Sequence, residues 1–211
     1  IKKDYIFFAI KGKNFDGNKF IDKAIAKGAR VIISQDCKEG IVNNILFLNH
    51  KNPRKLLADF STKIFNKKPK NLIAVTGTNG KTSVSDFYYQ ILKLNKKKVA
   101  SIGTLGVNGI QFKKKIFNTT SDPILLNTLL NYLSKKKINN VILEASSHGL
   151  KQHRLDGLKF DTGIFTNLSR DHLDYHKSYK DYLNSKLILF KRLMKKNSKV
   201  IFDDDIPFSG K

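Results

Sequence analysis

The feature that most constrains this 211-residue chain is LIAVTGTNGKTS, Leu72 to Ser83, in which an apolar run ends in a glycine-containing turn and passes into Lys-Thr at the head of a helical pattern. A strand that turns into a helix in this way aims backbone N–H groups and the positive helix end at one point, which suits phosphate oxygens. Gly77 and Gly80 allow close backbone approach. Lys81 is placed for the β- and γ-phosphates of a nucleotide, and the Thr82 hydroxyl for Mg²⁺. The full G-x-x-x-x-G-K-[ST] pattern needs a glycine where this chain has Val75. The shortened form T-G-T-N-G-K-T therefore departs from the generic GTPase or kinase loop and points to families that use it. Gly-Lys-Thr after a turn also arises by chance, but the strand before it and the repeat Val84, Phe87, Tyr88, Ile91 after it argue for a built phosphate loop.

Around this motif, short β-branched and aromatic runs alternate with helical patterns, the signature of an α/β fold with a mainly parallel sheet. Strands are expected at Tyr5 to Ile10, Arg30 to Ser34, Ile45 to Leu48, Leu72 to Val75, Val99 to Ile102, Val141 to Glu144, Gly163 to Thr166 and Lys199 to Phe202. Helices are expected at Asn18 to Lys27, Pro53 to Phe65, Lys81 to Leu94, Pro123 to Lys136 and Tyr179 to Lys195. The segment NKKPKN, Asn66 to Asn71, combines charge, proline and asparagine between two of these elements and reads as a linker. It divides the chain into a small α/β domain, 1–68, and the opening part of a nucleotide-binding domain, 69–211. The chain begins with Ile1 rather than Met and stops at PFSGK after a strand pattern, so both ends are expected to be cuts.

Composition removes several function classes. No apolar run approaches the roughly 20 residues of a membrane helix, and the first stretch has too short an apolar block for a secretory signal, so a cytoplasmic protein without a membrane span is expected. Cys37 is the only cysteine, which excludes an intrachain disulfide and a cysteine-based zinc site. The formal charge of +23 raises nucleic acid as a partner, yet of the 40 basic residues only five are arginine, leaving 35 lysines. Phosphate and base-edge readers favour the bidentate arginine fork. The lysines are scattered in KK and KKK runs at loop-like positions beside abundant Asn and Ile, so a solvated basic exterior without a nucleic-acid role is expected, one that still attracts anionic substrates.

Three places beyond the loop carry polar groups that a plain fold does not need. VILEASSHGLKQHR, Val141 to Arg154, is an apolar strand ending in Glu144, placed at a strand's carboxyl end to serve Mg²⁺ or its waters, although a capping or ion-paired acid fits the same pattern. GIFTNLSRDHLDYH, Gly163 to His176, repeats the arrangement with Asn167, Arg170, Asp171, His172, Asp174 and His176. In the helix that follows, Tyr179, Tyr182, Leu183, Leu187, Phe190 and Leu193 form one stripe, and Lys186 falls inside it. An unpaired buried ammonium is costly, so Lys186 either snorkels past its neighbours or is held as a neutral amine able to react with CO₂ to give an anionic carbamate.

Together these residues resemble the Mur ligase family, and within it the members that add the third amino acid to the UDP-MurNAc peptide stem. The matching strings are TGTNGKTS, NTTSDP (Asn118 to Pro123), EASSHGLKQHR (Glu144 to Arg154), FTNLSRDHLDYH (Phe165 to His176) and YLNSK ending at Lys186, in matching order across roughly residues 72 to 190. FFAIKGKNFDGNKFIDKAIAKGA also looks like that family's UDP-binding domain. The resemblance implies an ATP-dependent amide ligase of peptidoglycan precursor synthesis. ATP phosphates would be held by Gly77, Thr78, Asn79, Gly80, Lys81, Thr82 and Ser83, with Asn167 near the nucleotide. Two Mg²⁺ ions would be served by Thr82, Glu144, His172 and a carbamylated Lys186, making Lys81, His172 and Lys186 the catalytic set. UDP-MurNAc-dipeptide would lie against Asn118, Thr119, Thr120, Ser146, Gln152 and Arg154.

The same resemblance sets limits. The family's early DSR-type motif at the uridine end is absent, as are the rest of the central domain and the C-terminal domain that selects the amino acid, so this segment alone is expected not to complete ligation. A monomer is the family expectation. Whether meso-diaminopimelate or L-lysine is the incoming residue is not written in these residues. Two other readings stand beside it: a folylpolyglutamate or cyanophycin-type ligase of the same superfamily, and a basic nucleic-acid-binding ATPase.

Overall fold

The computed structural model describes residues 3–12, 15–111, 118–171 and 174–203. The chain divides into two compact units, Ile1–Leu57 and Ala58–Lys211.

The first unit is a four-stranded sheet with its helices. Strand β1 (Tyr5–Phe8) leads to a 3₁₀ turn (Gly17–Phe20) that continues as α1 (Ile21–Ala26), then come β2 (Ala29–Ser34), β3 (Gly40–Val42) and β4 (Ile45–Asn49). Spatial order is β1-β2-β4-β3, parallel except for the β3–β4 hairpin. That hairpin turns on Asn43 and Asn44, whose φ values of 48° and 62° are tolerated by asparagine better than by most side chains. Asp16 starts the 3₁₀ turn by accepting from the Asn18 amide. Ala24, Ala29, Ile32 and Ile45 close the core, with Phe7, Ile21, Ile25 and Phe47 packed on it.

Helix α2 (Pro53–Ile64) begins in the first unit and ends in the second. Its last turn and the loop after it are tied down there: the Thr62 hydroxyl donates to Asn127 Oδ1 (3.3 Å), the Lys67 amide to Asn131 Oδ1 (3.3 Å), and the Ser134 hydroxyl to the Lys68 carbonyl (3.0 Å). These bonds explain why the division falls inside the helix, ahead of the linker at 66–71 that composition marks.

The second unit holds a six-stranded sheet. Its elements are β5 (Asn71–Thr76), α3 (Lys81–Leu94), β6 (Val99–Gly103), β7 (Gly106–Asn108), α4 (Pro123–Lys135), β8 (Asn140–Glu144), α5 (Ser147–Lys151), β9 (Phe160–Phe165), α6 (Tyr179–Ile188), a π-turn (Leu189–Leu193) and β10 (Met194–Phe202). The order β10-β9-β5-β8-β6-β7 is parallel except for the short β6–β7 hairpin. All five parallel strands therefore deliver their carboxyl ends to one edge, where an open α/β sheet presents its ligand-binding loops. Leu126, Leu129, Leu130 and Leu133 follow helical spacing on α4 and join Leu72, Ala74, Val141 and Leu143 of the central strands in one core. Asp122 caps α4 through the Ile124 and Leu125 amides, and Pro123 sits at its first turn.

The helix expected over Tyr179 to Lys195 ends earlier. It relaxes into the π-turn and becomes strand at Met194, because the register that pairs Lys199 to Phe202 with Thr162 to Phe165 requires extended chain beforehand. Among the described residues no helix is long and apolar enough to cross a membrane.

Leu130 is 0% exposed in the α4 stripe, whereas Leu94, at the end of α3, is 82% exposed. Leu130→Ala is expected to cost about 2–5 kcal/mol in urea unfolding, and Leu94→Ala to stay within about 0.5 kcal/mol of the parent.

Candidate functional site

The turn between β5 and α3 is held against the end of β9. Gly77 has φ 146°, and a Cβ there would lie 1.9 Å from Thr166 Oγ1 and 3.1 Å from the Asn167 amide, so only glycine fits. Gly80 caps α3 in the left-handed region, φ 80°. Asn167 locks the loop: its carbonyl accepts from the Thr78 amide (3.0 Å), its Oδ1 from the Asn79 amide (2.9 Å), and its Nδ2 donates to the Asn79 carbonyl (3.3 Å). The Thr166 hydroxyl also donates to the Asn79 carbonyl (2.6 Å). The first-turn amides of α3, from Lys81 to Ser83, have no intrahelical acceptor and remain as the anion-facing donors.

Thr78 points inward instead. Its buried hydroxyl accepts from the Ser169 amide (3.0 Å) and the Tyr182 hydroxyl (3.2 Å). Its side chain therefore braces the loop, and only its backbone borders the cradle.

Two lysines converge on one carbonyl. Lys81 Nζ donates to the Gly77 and Thr78 carbonyls at 3.0 and 2.7 Å, and Lys186 Nζ donates to Gly77 at 2.6 Å. Lys186 is 1% exposed. Its ammonium lies 4.2 Å from the centroid of the Tyr182 ring, also fully buried. On α6 the buried face is Tyr182, Ser185, Lys186, then Leu189 and Leu193 of the π-turn, while Leu183, Leu187 and Phe190 are half-buried. The lysine thus lies in the buried stripe, although the stripe is rotated from the one the apolar spacing marks.

Glu144, 2% exposed at the end of β8, is the hinge of the site. Its Oε2 accepts from the Thr82 and Thr104 hydroxyls (3.0 and 3.1 Å) and its Oε1 from the Thr104 amide (3.0 Å). Gly103 makes room, since a Cβ there would lie 2.1 Å from Glu144 Oε1. Thr104 was not singled out by the sequence, and a lone threonine after a strand gives no signal by which to find it. Among the described residues no group of three His, Cys, Asp or Glu gathers to hold a metal. Thr82 and Glu144 instead offer two hard oxygens beside the phosphate cradle, a donor set that fits Mg²⁺ completing its shell with phosphate and water.

The expected substrate residues form a second network on the other side of Glu144. The Thr120 hydroxyl donates to the Glu144 carbonyl (2.9 Å), accepts from the Ser146 amide (2.9 Å) and lies 3.0 Å from the Ser146 hydroxyl, which caps α5 through the Gly149 amide. Arg154 donates to the Thr120 carbonyl (2.6 Å) and to Gln152 Oε1 (2.8 Å), and Gln152 donates to the Tyr175 hydroxyl (3.0 Å). Thr119 shares a hydroxyl contact with Thr104 (3.1 Å), Asn118 is exposed, and Ser83 is exposed on the first turn of α3. His172 lies outside the described residues. His176 is buried, with Nε2 3.0 Å from the Ser147 hydroxyl and Nδ1 3.4 Å from that of Ser185, so it joins α5 to α6.

Burial governs the electrostatics. Desolvation, with the Lys81 charge adding to it and Asp171 opposing, pushes the Lys186 amine down to about 7. Lys81 is lowered by burial while Glu144 and Asp171 pull it back up. His176 is driven to about 4, chiefly by burial and then by the Lys151 charge, and is neutral at physiological pH.

A family model described as the Mur ligase middle domain matches residues 75–209, and one described as Mur ligase family, catalytic domain, matches residues 1–62. The UDP-N-acetylmuramoyl-L-alanyl-D-glutamate--2,6-diaminopimelate ligase of Bradyrhizobium diazoefficiens is 40% identical over 202 residues, covering 95% of this chain and 41% of the relative. Its counterpart in Rickettsia montanensis is 40% identical over 210 residues, covering 98% of this chain and 43% of the relative. The chain therefore spans about two-fifths of the length of these curated relatives. A solved structure of a UDP-N-acetylmuramoyl-L-alanyl-D-glutamate--2,6-diaminopimelate ligase superposes with TM-score 0.80 at 30% identity, covering 98% of this chain and 42% of that one.

The lowered Lys186 amine fixes the sign of a pH effect. Between about 7 and the ordinary lysine value of 10.5 the unfolded chain binds more protons at this position than the folded one, so folding gains stability as pH rises through that window. Melting temperatures of the parent and Lys186→Met, compared from about pH 6 to pH 9, are expected to shift in favour of the parent as pH rises. A difference that stays flat would show that Lys186 titrates normally.

Proposed function

The chain belongs to the Mur ligase family, and from that premise we propose that it carries the nucleotide site and part of the acceptor site of an ATP-dependent ligase joining 2,6-diaminopimelate to UDP-MurNAc-L-Ala-D-Glu. The observation that carries this reading is the convergence of Lys81 and Lys186 on the Gly77 carbonyl, beside the Thr82–Glu144 pair. Two amines and a buried carboxylate around a phosphate loop suit phosphoryl transfer to a carboxylate. The names of the 40%-identical relatives supply the amino acid. The first unit is assigned to the UDP end of the substrate, the second to ATP, and the reaction to the cytoplasm.

In this reading the amides at the head of α3 and Lys81 orient the ATP phosphates. The terminal carboxylate of the dipeptide attacks the γ-phosphorus, the bond to the bridging oxygen of ADP breaks, and an acyl phosphate forms. The amine of the amino acid then attacks the acyl carbon, phosphate leaves with the electron pair, and the amide remains. Lys81 offsets the charge that spreads over the transferring phosphoryl oxygens. Thr82 and Glu144 would hold Mg²⁺, which would supply charge neutralisation at the phosphates. Thr119, Thr120, Ser146, Gln152 and Arg154 position the muramyl peptide, and Asn167 keeps the loop closed.

Lys186 has a distinct role. A buried amine lowered to about 7 has a substantial uncharged fraction near neutral pH. It would add to CO₂, losing one proton, to give a carbamate, and that carbamate and His172 would be the groups to hold a second Mg²⁺. The carbamate sets a negative charge opposite Lys81, where a protonated Lys186 would repel it.

The full-length protein, given ATP, Mg²⁺ and UDP-MurNAc-L-Ala-D-Glu, is expected to release ADP with diaminopimelate and far less with L-lysine, and none when folate replaces the muramyl peptide. Preference for folate would overturn the assignment. Lys186→Ala is expected to lose at least about a hundredfold in kcat, and bicarbonate is expected to stimulate the parent but not the variant. Unchanged turnover in Lys186→Ala would remove the carbamate.

A further inference from the structure

At the opposite end of the second sheet from Glu144, the topology brings two lysine triplets together. Residues 96–98 and 135–137, both Lys-Lys-Lys, lie at or just past the C-termini of α3 and α4 and lead into β6 and β8. Those strands are neighbours, with Val99 opposite Asn140, and the Asn140 amide side chain donates to the Lys98 carbonyl (3.1 Å). All six lysines are exposed, as is Lys93 on the last turn of α3. A cavity of about 340 Å³ opens between them, lined by Tyr89, Lys93, Lys97, Lys98, Lys136 and Ile138.

Lysine is abundant throughout this chain, but here, among the described residues, no carboxylate is paired with it. From Phe87 to Leu143 there are ten lysines and one acid, Asp122. Asp122 caps the far end of α4, about 20 Å away along a helix of this length. Asp86 lies on α3 itself, about 10 Å or two turns before Lys93, where its carboxylate accepts from the Gln90 side chain, and Asp161, which starts β9 two strands or about 10 Å from β8, is paired with Lys195. None of the seven lysines has an ion pair among the described residues. Lysine at a helix C-terminus is favoured by the helix dipole, which explains one at each end. It does not explain Lys96 and Lys137, which hold left-handed φ values of 56° and 58° where glycine or asparagine is the unstrained choice.

Apolar side chains border the charge. Phe87, Ile91 and Leu94 form a stripe along α3, 61%, 57% and 82% exposed, and Tyr132 on α4 is 42% exposed. From this combination we infer that the lysine face is a docking surface for an anionic lipid bilayer, with headgroup phosphates among the lysines and Leu94 and Ile91 reaching the acyl boundary. Nucleic acid fits less well. Base stacking needs open aromatic faces, whereas Lys93 lies over the Tyr89 ring (5.6 Å) and Lys136 over Tyr132 (5.8 Å). An exposed leucine and isoleucine add nothing to phosphodiester binding but add to membrane binding. Because the lysines lie at the amino ends of the strands, docking leaves the Glu144 edge facing solvent. The inference stands on this face alone and does not rest on the ligase reading.

The test is flotation of the full-length protein with vesicles of phosphatidylcholine alone or mixed with phosphatidylglycerol, at low and high salt. Binding is expected only to the mixed vesicles and is expected to fall as salt rises. The triple variant Lys97→Glu, Lys98→Glu, Lys136→Glu is expected to lose at least about a hundredfold in partitioning. A control with the same charge change, Lys38→Glu, Lys180→Glu, Lys191→Glu, is expected to lose much less. Leu94→Ser is expected to weaken vesicle binding at unchanged net charge. Absence of binding to anionic vesicles at low salt, equal losses in the two triple variants, or single-stranded RNA bound through the lysine face in preference to vesicles would each overturn the proposal.

Discussion

Gly77 places the end of β5 in backbone contact with the end of β9, and the geometry of the site depends on that contact. With no side chain at Gly77, Thr166 and Asn167 can press against the turn, so the loop's own polar groups are satisfied by a neighbouring strand. Its carbonyl is then free to face the site, where Lys81 and Lys186 both find it. One residue without a Cβ thus fixes the phosphate cradle and the position of two amines. In the proposed function such a loop would meet a nucleotide already ordered, the preorganisation that phosphoryl transfer uses.

The carboxyl edge of the sheet is built in layers of increasing polarity. Below it the two central strands carry unbroken apolar runs, Leu72 to Val75 and Val141 to Leu143. At the edge itself Glu144 is buried, and its carboxylate is ringed by hydroxyl and amide donors. Glu144 also links the two halves of the site, with its carboxylate on the Thr82 side and its carbonyl on the Thr120 side.

Much of this was legible in the sequence, for reasons that differ by element. α3 runs from Lys81 to Leu94 as expected because Gly80 forces its start and Asn95 ends it. Lys186 stood out because a charge inside an apolar stripe is anomalous, and it is buried. β3 and β7 escaped notice because three-residue edge strands carry too little pattern, although Asn43-Asn44 and Gly106 marked their turns. α5 was missed because it is short and polar, yet Ser146 is an ordinary N-cap. Thr104 and Tyr182 contribute through contacts across 40 and 104 residues of chain, and no local pattern reveals contacts of that range. Thr78 reads as a phosphate ligand in the motif, but its side chain turns inward because Tyr182 and Ser169 give it partners there.

The central claim is that the Gly80 turn and Glu144 serve one magnesium-nucleotide. Calorimetric titration of ADP into the full-length protein, with and without Mg²⁺, addresses it directly when repeated on Glu144→Gln, which keeps the shape and removes the charge. The account predicts that Mg²⁺ tightens ADP binding in the parent and that the variant loses this enhancement while retaining metal-free binding. Equal Mg²⁺ enhancement in both proteins would contradict it.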